Sequence, residues 1–428
     1  MNREKKKILL VEPDFPIPAK SKNHKNFLPI GLLKIGSYLR SKGIEVKLMR
    51  GVPKDLKDVG ILSFGPQEVW ITSLFTYWAK YVKDAVQYYK HAFPDAKIVV
   101  GGIYASLMKD RCKDFTGCDE VKEGVVLEAE KCFPAYDLIK NANPHPIDYQ
   151  IIHASRGCIR DCDFCGVRKI EPDFEPKSSI KGEIKKRKIV FYDNNFLASP
   201  YIEKILQELI ELKKKKEILW CESQSGFDGR ALKEKPHLGE MIKNAGFRYP
   251  RIAWDWGYNH FKEIKEQVDI LGAGGYNFKD IYIFMLYNWD IPFEEMERKR
   301  IKCLEWNVQI ADCRYRPLDQ ISDNYNPRKE QTDKDYHIHT EAGWTDALVK
   351  QFRKNVRRQN ICVRHGFPFY SKDFERKKFR EMMRPVKLLA TKEEKIRYLE
   401  KKGISFWLPD EITYSNGKSR NEKIGQAK

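Results

Sequence analysis

The sequence of 428 residues predicts an α/β protein that consists of two parallel-sheet domains and a basic C-terminal region. Three observations lead to this prediction. Short apolar runs alternate with helical patterns up to about residue 140, a turn-rich stretch with two prolines follows at residues 140–146, and the alternation then resumes to about residue 322. Strands that alternate with helices at this spacing join through right-handed crossovers into parallel sheets.

The first domain, residues 1–140, is predicted to be a doubly wound, Rossmann-like sheet. Its strands are short aliphatic runs, and its helices carry apolar residues at helical spacing. The predicted elements are a strand at Ile8 to Val11, a helix at Pro29 to Leu39, strands at Ile44 to Leu48 and Val69 to Leu74, a helix at roughly Ala79 to His91, and a strand at Lys97 to Val100. A ligand of such a sheet lies at the carboxyl ends of the strands.

The second domain, residues 150–322, is predicted to be a partial (β/α)6 barrel of the TIM type. Helical stretches such as Tyr201 to Lys215 and Phe293 to Glu305 separate its strands. The predicted strands are Gln150 to Ala154, Lys188 to Tyr192, Ile218 to Glu222, Arg251 to Trp254, Asp280 to Leu286 and Val308 to Arg314. The reactive face of such a barrel is formed by the carboxyl ends of its strands.

The overall composition argues against a membrane protein. The chain carries 79 Lys and Arg against 60 Asp and Glu, a formal charge of +19, and its mean hydropathy is −0.61. No run of about 18 apolar residues is present, so no membrane span is expected. The basic N-terminus is followed by only a short apolar run, which indicates a strand rather than a secretory signal. We therefore expect a cytoplasmic protein.

Residues 323–428 are predicted to form a basic, mostly helical cap. Residues 350–387 carry thirteen Lys and Arg against three acids, an excess of +10. This excess has two interpretations, a solvated helical face or a surface for a polyanion such as RNA, DNA or a phosphorylated substrate. Aromatic residues interleaved with cations would suit stacking on bases. These residues are Phe367, Phe369, Tyr370 and Phe374, with Arg364, Lys372 and Arg376 between them.

Three of the ten cysteines have a spacing that indicates a shared ligand. Cys158, Cys162 and Cys165 stand in the pattern C-x3-C-x2-C directly after a predicted strand, with Gly157 at the start of the loop. Three thiolates leave one iron of a four-iron four-sulfur cluster open for a small ligand. A structural zinc site would normally add a fourth Cys or His. Zinc and three free thiols are the alternatives to a cluster.

This cysteine motif, with Phe164 just before its last cysteine and the first strand of a partial barrel before it, resembles the radical S-adenosylmethionine (radical SAM) enzymes. The resemblance extends over roughly residues 150–320. It implies that Cys158, Cys162 and Cys165 bind a 4Fe-4S cluster and that Phe164 lies beside the adenine of S-adenosylmethionine. The open iron of the cluster would chelate the methionine group. Electron transfer would then cleave the sulfonium bond and give methionine and a 5′-deoxyadenosyl radical.

Two later strands fit the same resemblance. Asp193, Asn194 and Asn195 end the second strand, where the family binds the methionyl ammonium; an anion and carbonyls suit an ammonium group. The alternative is that these three residues form a turn that caps the next helix. Ser223 and Gln224 end another strand and would bond the ribose and the methionyl carboxylate.

Two further positions depart from the usual pattern of the family. Asp255 stands in the run Ala253 to Gly257, where relatives often have a Gly-Ile-Glu-Ser run, and this departure puts the role of Asp255 in doubt. Met285 lies in a segment that replaces a more common glycine and proline turn, and it would offer only its backbone to adenine. Both residues are kept as candidate cofactor contacts.

The first 140 residues resemble the cobalamin-binding-type domain that precedes the barrel in one radical SAM subgroup. The resemblance rests on Leu28 to Leu32, on Gly101 to Ser106, and on a degraded Glu123-Gly124 segment. The D-x-H-x-x-G motif that supplies a lower cobalt ligand in many members does not occur here, so cobalamin binding stays open. A second cluster on Cys112, Cys118 and Cys132 is an alternative that their wide spacing disfavours.

The resemblance implies an enzyme that cleaves S-adenosylmethionine reductively and modifies an unidentified substrate, with cobalamin-dependent radical methylation as one version. A flavodoxin or ferredoxin would supply the electron. One alternative is an enzyme that modifies tRNA or DNA, and another is a non-catalytic scaffold that keeps the cluster as a structural element. His337 and His339 are interpreted as structural residues because no further metal ligands accompany them.

Overall fold

A computed structural model describes residues 5–17, 28–53, 60–139, 147–372, 381 and 383–414. The chain forms two compact units, Met1–Asn195 with Arg316–Asn324, and Phe196–Tyr315 with Tyr325–Lys428. The turn-rich boundary predicted at 140–146 lies outside the described residues, as do Phe374 and Arg376. Both units contain parallel strands and helices, which confirms the predicted α/β class.

The first unit is built on a five-stranded parallel sheet. Its strand order, β2-β1-β3-β4-β5, is that of a doubly wound sheet. The strands of this unit are β1 Lys7–Glu12, β2 Glu45–Arg50, β3 Glu68–Ser73, β4 Lys97–Gly102, β5 Glu120–Val121, β6 Gln150–Ile152, β7 Ser155–Arg156, β8 Glu175–Pro176 and β9 Lys188–Phe191. Its helices are α1 Ile30–Ser41, α2 Ala79–Ala92, α3 Ile103–Leu107, α4 Lys109–Thr116, α5 Leu127–Glu130 and α6 Val167–Ile170.

Both faces of this sheet are buried, as the continuous aliphatic run of β1 requires. Ile8 and Leu10 pack in one core cluster with Leu32 of α1, whereas Leu9 and Val11 pack in another cluster with residues of α2. Successive side chains of a strand point to opposite faces, so one strand serves two cores. The helices therefore cover the two faces of the sheet separately.

A short segment from later in the chain completes the first unit. Ile321 packs against the core on the α2 side of the sheet. The guanidinium of Arg316 lies 4.5 Å from the ring centre of Tyr77, and Arg111 donates to the carbonyl of Asp319 at 3.4 Å. Residues 316–324 thus belong to the first unit although the residues on either side of them do not.

The second unit contains a three-stranded parallel sheet in the order β11-β12-β13. Parallel bridges at Cys221 to Phe247 and Phe227 to Ile252 connect the region of β10 to the chain before and within β11. The strands are β10 Trp220–Ser223, β11 Arg251–Ala253, β12 Tyr282–Tyr287 and β13 Gln309–Arg314. The helices are α7 Ile202–Lys214, α8 Gly229–Glu234, α9 Leu238–Asn244, α10 Phe261–Ala273, α11 Phe293–Glu305, α12 Asp346–His365, α13 Arg384–Leu388 and α14 Lys392–Lys401.

A buried ion pair on α11 fixes the C-terminal segment of the second unit. Arg300 and Glu297 have fully buried side chains and form an ion pair at 2.7 Å. Arg300 also donates to the Gln359 side chain at 2.7 Å and to the carbonyl of Glu411 at 2.8 Å. Asn355 donates to Glu297 at 3.0 Å. A buried charge is tolerated when such partners satisfy it, so this network ties α11, α12 and the segment near residue 411 together.

The aromatic residues predicted for base stacking near the C-terminus lie in a core, and that prediction is wrong for them. Phe367, Phe369 and Tyr370 are at most 9% exposed and pack with Met383 and Val386. Rings enclosed in a core cannot offer a face to a base, because the hydrophobic effect has already buried them. Among the described residues, no helix is both long and apolar enough to cross a bilayer.

Candidate functional site

The three-cysteine loop begins where β7 ends, and its first residue can only be glycine. Gly157 has φ +72°, and a Cβ at this position would lie 2.0 Å from the carbonyl oxygen of Asp173. Strand β7 pairs with β8 in antiparallel fashion, so the chain that leaves β7 returns beside it after the loop. This short hairpin closes the ends of the loop that carries Cys158, Cys162 and Cys165.

The three cysteines form no disulfide and are half-buried on this loop. The Sγ atom of Cys158 accepts hydrogen bonds from the backbone N–H of Arg160 at 3.3 Å and from Nδ2 of Asn195 at 3.7 Å. The N–H of Cys165 donates to the carbonyl of Cys162 at 2.8 Å, which forms a tight turn between the last two cysteines. Two directed donors thus hold the Cys158 sulfur in place on the loop.

Glu171, just after α6, joins the cysteine loop to the end of the neighbouring strand. Its carboxylate accepts hydrogen bonds from the Arg156 guanidinium at 2.5 Å, the Gly157 N–H at 2.6 Å and the Asn194 side chain at 3.2 Å. Sequence reasoning missed Glu171, because nothing in the five residues between it and Cys165 indicates that its side chain returns to the start of the loop. Strands β7 and β8 pair through only two residues each, which is too short a pattern to predict from the sequence.

His153 is buried next to this network and is held as a neutral imidazole. Arg156 donates to its Nε2 at 2.8 Å, and since a guanidinium cannot accept, the proton of a neutral His153 lies on Nδ1. Burial, reinforced by Arg156 and other nearby cations, lowers the pKa of His153 well below its ordinary value. Nδ1 is buried and has no hydrogen-bond partner in the part of the chain that the structure describes. It is thus a neutral, buried donor next to the cysteine loop.

Asp193 lies two residues after β9, which pairs with β6 in parallel, and its carboxylate binds the chain just after β6. It accepts hydrogen bonds from the N–H of Ala154 at 3.1 Å and from the N–H and hydroxyl of Ser155 at 2.5 and 2.8 Å. Burial raises the pKa of Asp193 to about 6, although these donors oppose the shift. Its contacts make it a structural staple for the chain entering the cysteine loop, whereas Asn194 and Asn195 reach the loop itself.

The structure therefore brings several predicted residues together in the first unit. Asn195 contacts the sulfur of Cys158, and Asn194 contacts Glu171, which in turn binds the start of the loop. The first α-helix after this turn, α7, begins at Ile202, and its N-cap residue Tyr201 makes no side-chain capping bond. Phe164 is half-buried on the loop between Cys162 and Cys165.

The other predicted cofactor contacts belong to the second unit. Ser223 donates from its hydroxyl to the carbonyl of Gly226 at 3.0 Å, and Gln224 donates to Glu222 at 2.9 Å. Met285 is fully buried in β12. These residues lie at or near the carboxyl ends of β10 and β12, as predicted.

Asp255 follows β11 and faces a buried lysine that sequence reasoning missed. Burial raises the pKa of Asp255 to about 6, and its carboxylate accepts a hydrogen bond from the Leu286 backbone. Lys299 donates to the carbonyls of Trp254 and Trp256 at 2.7 and 2.8 Å, and burial lowers its pKa to about 8. Its place within a regular helix gave no signal, since Lys299 is surrounded by charged residues in the sequence.

In the described ranges, no group of three or more His, Cys, Asp or Glu side chains is arranged to hold a single metal ion. Cys112 and Cys118 are buried beside each other at the end of α4, and Cys132 donates to the carbonyl of Glu128. His339 bonds Asp290 at 2.8 Å.

Comparison with known proteins gives little. No family model matches the chain, and no curated protein matches it. One solved structure that it resembles is a novel cobalamin-binding protein from Desulfitobacterium hafniense DCB-2, at 16% identity and a TM-score of 0.21. The matched region covers 28% of this chain and 53% of that protein, so the chain spans about half of its length. A likeness at this level is too weak to assign a function.

Proposed function

We propose that the protein is a radical SAM enzyme whose 4Fe-4S cluster is held by Cys158, Cys162 and Cys165. One observation carries the proposal. The C-x3-C-x2-C loop follows β6 and β7, and the polar turn at the end of the neighbouring parallel strand, β9, reaches the loop through the contact between Asn195 and Cys158. Ligand-binding turns gather at the carboxyl ends of parallel strands, which is where both segments lie.

The chemistry of the donor set fits a cluster. Each cysteine of such a site binds a different iron of the cube, so the three sulfurs need not converge as they would around one ion. The N–H groups of Arg160 and Asn195 directed at Cys158 stabilise negative charge on its sulfur. When bound, the cluster supplies an electron to S-adenosylmethionine, whose cleavage yields a 5′-deoxyadenosyl radical.

The residues of this chain then have separate tasks in the proposal. Glu171 and Asp193 fix the start of the cysteine loop, while Asn194 and Asn195 offer amide oxygens to the methionyl ammonium. Phe164 lies beside adenine in the proposal. The family resemblance also implies Ser223, Gln224, Asp255 and the backbone of Met285 as contacts of the cofactor.

The proposal includes the fold that residues 150–322 predict, a partial barrel with its reactive face at the carboxyl ends of the strands. The helices of residues 323–428 form its cap and keep water away from the radical. An oxygen-labile cluster requires a reducing compartment, so we propose a cytoplasmic enzyme with a flavodoxin or ferredoxin as electron donor.

The test is anaerobic reconstitution with iron and sulfide, followed by addition of dithionite and S-adenosylmethionine. We expect about four irons per chain, a charge-transfer absorption, and 5′-deoxyadenosine or methyl transfer as product. Replacement of Cys162 by Ala should abolish the absorption, whereas Cys313→Ala, which changes an exposed cysteine elsewhere, should retain it. Full absorption with four irons in the Cys162→Ala protein would overturn the ligand assignment.

The same preparation separates the enzyme from a non-catalytic scaffold and tests for cobalamin. An intact cluster spectrum without cleavage of S-adenosylmethionine would favour the scaffold. A corrinoid that copurifies with the protein would show its own visible spectrum and would support the methyltransferase version. Mass spectrometry of other copurified molecules would indicate the substrate.

A further inference from the structure

The starts of the strands in the second unit carry an exposed row of aromatic and cationic side chains. The Arg248 guanidinium lies 5.2 Å from the ring centre of Trp220. The rings of Tyr249 and Tyr282 are 6.3 Å apart, and both the Tyr282 hydroxyl and Arg364 bond the side chain of Gln309. We call the row the strand-start surface, and define it as Leu219, Trp220, Arg248, Tyr249, Tyr282 and Arg364.

Large apolar side chains on this surface remain in contact with solvent. Leu219 is 37% exposed and Tyr249 is 42% exposed, and Trp220 and Tyr282 are half-buried beside them. Burying these groups would be favourable, so an exposed cluster of this kind marks a contact surface. The side chains lie on connected elements, because the Lys213 ammonium donates to the carbonyl of Leu219 at the start of β10.

The surface is also strongly basic. Residues 213–220, 248–251 and 278–282 carry seven Lys and Arg against two acids, Glu217 and Asp280. Lys214, Lys215 and Lys216, at the end of α7, are exposed. Cations at a helix C-terminus interact favourably with the helix dipole, and this interaction accounts for part of the charge. The dipole does not account for exposed aromatic residues among the cations.

Tyr249 also has a strained backbone. Its φ is +51°, a left-handed conformation that a bulky residue rarely adopts, and it does not follow directly on a helix end. Glycine would adopt this conformation without a Cβ clash. Strain of this kind persists where the residue has a task that outweighs it. The task indicated here is to hold a tyrosine ring out toward solvent.

We propose that the strand-start surface binds a single-stranded polynucleotide. Guanidinium and ammonium groups pair with the phosphates, and unpaired bases stack on the exposed rings, above all on Tyr249. A duplex hides the faces of its bases, so it would use only the charges. The surface lies at the starts of strands, away from their carboxyl ends, and the proposal therefore does not depend on the cysteine chemistry.

The test measures fluorescence anisotropy of a labelled oligouridylate of about 12 nucleotides with the full-length protein, alongside single-stranded DNA, a duplex and heparin as competitors. Tyr249→Gly should weaken binding by at least about fivefold, the loss of one stacked base. Arg248→Ala should lower the slope of log affinity against log salt by about one. Preference for single strands of either sugar over duplex and heparin is the expected pattern.

Two matched controls and a folding measurement complete the test. Tyr201→Ala and Arg298→Ala change an exposed tyrosine and an exposed arginine at other sites of the second unit and should retain affinity within about twofold. Because Tyr249→Gly relieves a strained φ, its melting temperature should stay the same or rise, so weakened binding would not come from unfolding. Absent binding, equal binding of duplex and single strand, or equal losses in the controls would overturn the proposal.

Discussion

The two compact units each contain a buried polar network, and the networks differ in how completely they are satisfied. In the second unit, Arg300 and Glu297 are enclosed, and the bonds of Arg300 end on carbonyls and amides of the chain itself. In the first unit, Glu171 binds three donors around the cysteine loop, but His153 keeps a buried Nδ1 that has no hydrogen-bond partner in the described ranges.

This difference separates a network that holds the chain from one that prepares a site. A fully satisfied network fixes a unique packing, because breaking any bond leaves a buried charge. A network with an unused donor beside half-buried thiols has free capacity for a ligand, and local rules of packing are commonly broken at such sites. We therefore expect substitutions in the Arg300 network to change stability alone, and those in the Glu171 network to change the order of the cysteine loop.

The strongest test of this contrast is Arg300→Leu. It leaves Glu297 buried without its cation, and we expect a loss of about 3 to 5 kcal/mol in the free energy of unfolding. Urea unfolding measures the loss. The double variant Glu297→Leu/Arg300→Leu should be less destabilised than the single one, because no charge remains uncompensated. A double variant with a lower free energy of unfolding than Arg300→Leu would contradict this account of the ion pair.

Asp193 should give the first unit a pH dependence. Burial raises its pKa from 3.8 to about 6, so the folded protein holds this proton more tightly than the unfolded chain. The contribution of Asp193 to the free energy of unfolding is fully present below pH 3.8 and is lost as the pH rises through about 6. It amounts to about 3 kcal/mol for a pKa shift of this size. Urea unfolding from pH 4 to 7 should show a smaller decline in Asp193→Asn. Parallel curves for both proteins would remove this role.

Glu171→Gln tests whether the carboxylate orders the cysteine loop. A hydrogen bond to a charged group contributes about 1.5 to 3 kcal/mol. The glutamine amide would also place an N–H against groups that are themselves donors. We expect alkylation of Cys158 in the iron-free protein to accelerate by about tenfold or more, measured by mass spectrometry against exposed Cys313. Glu183→Gln, which alters a more exposed partner of Lys177, is the matched control and should leave the rate unchanged.

The smallest effect is expected for Lys34 and Glu130, which border the first network because the Glu130 carboxylate lies 4.0 Å from the Arg156 guanidinium. Lys34 is buried, its pKa is lowered mainly by burial, and it pairs with Glu130 at 2.8 Å. Lys34→Met replaces the cation with an apolar side chain of similar length, so the loss of the pair is offset by a lower desolvation cost and should stay within about 1 kcal/mol. Thermal unfolding measures it, with exposed Lys80→Met as control. A much larger loss would place Lys34 among the residues that fix the loop.

The sequence predicted the regular parts of the first unit closely because periodic burial dominates there. The run from Ile8 to Val11 becomes β1, and the helix predicted from about Ala79 to His91 is α2, Ala79–Ala92. Apolar spacing alone determines such elements. The α/β class and the end-of-strand positions of the polar turns follow from the same pattern.

Contacts between distant segments could not be predicted in this way. Nothing near Asp193 in the sequence indicates that its partners are Ala154 and Ser155, 39 and 38 residues earlier. Interleaved aromatic and basic residues look alike whether the rings are exposed or buried. The sequence therefore left base stacking open for Phe369, which lies in a core. The charge pattern indicates what kind of ligand a surface could bind. Only the packing of the chain decides which aromatic rings are exposed to that ligand.

The return of residues 316–324 to the first unit has a consequence for synthesis of the protein. A ribosome makes the chain from its N-terminus, and the first unit lacks the packing of Ile321 until this segment has emerged. By then the chain through β13 has also been made. The first unit cannot reach its final state as an early, independent product, and an expression fragment that ends at residue 195 would expose the apolar surface that Ile321 covers.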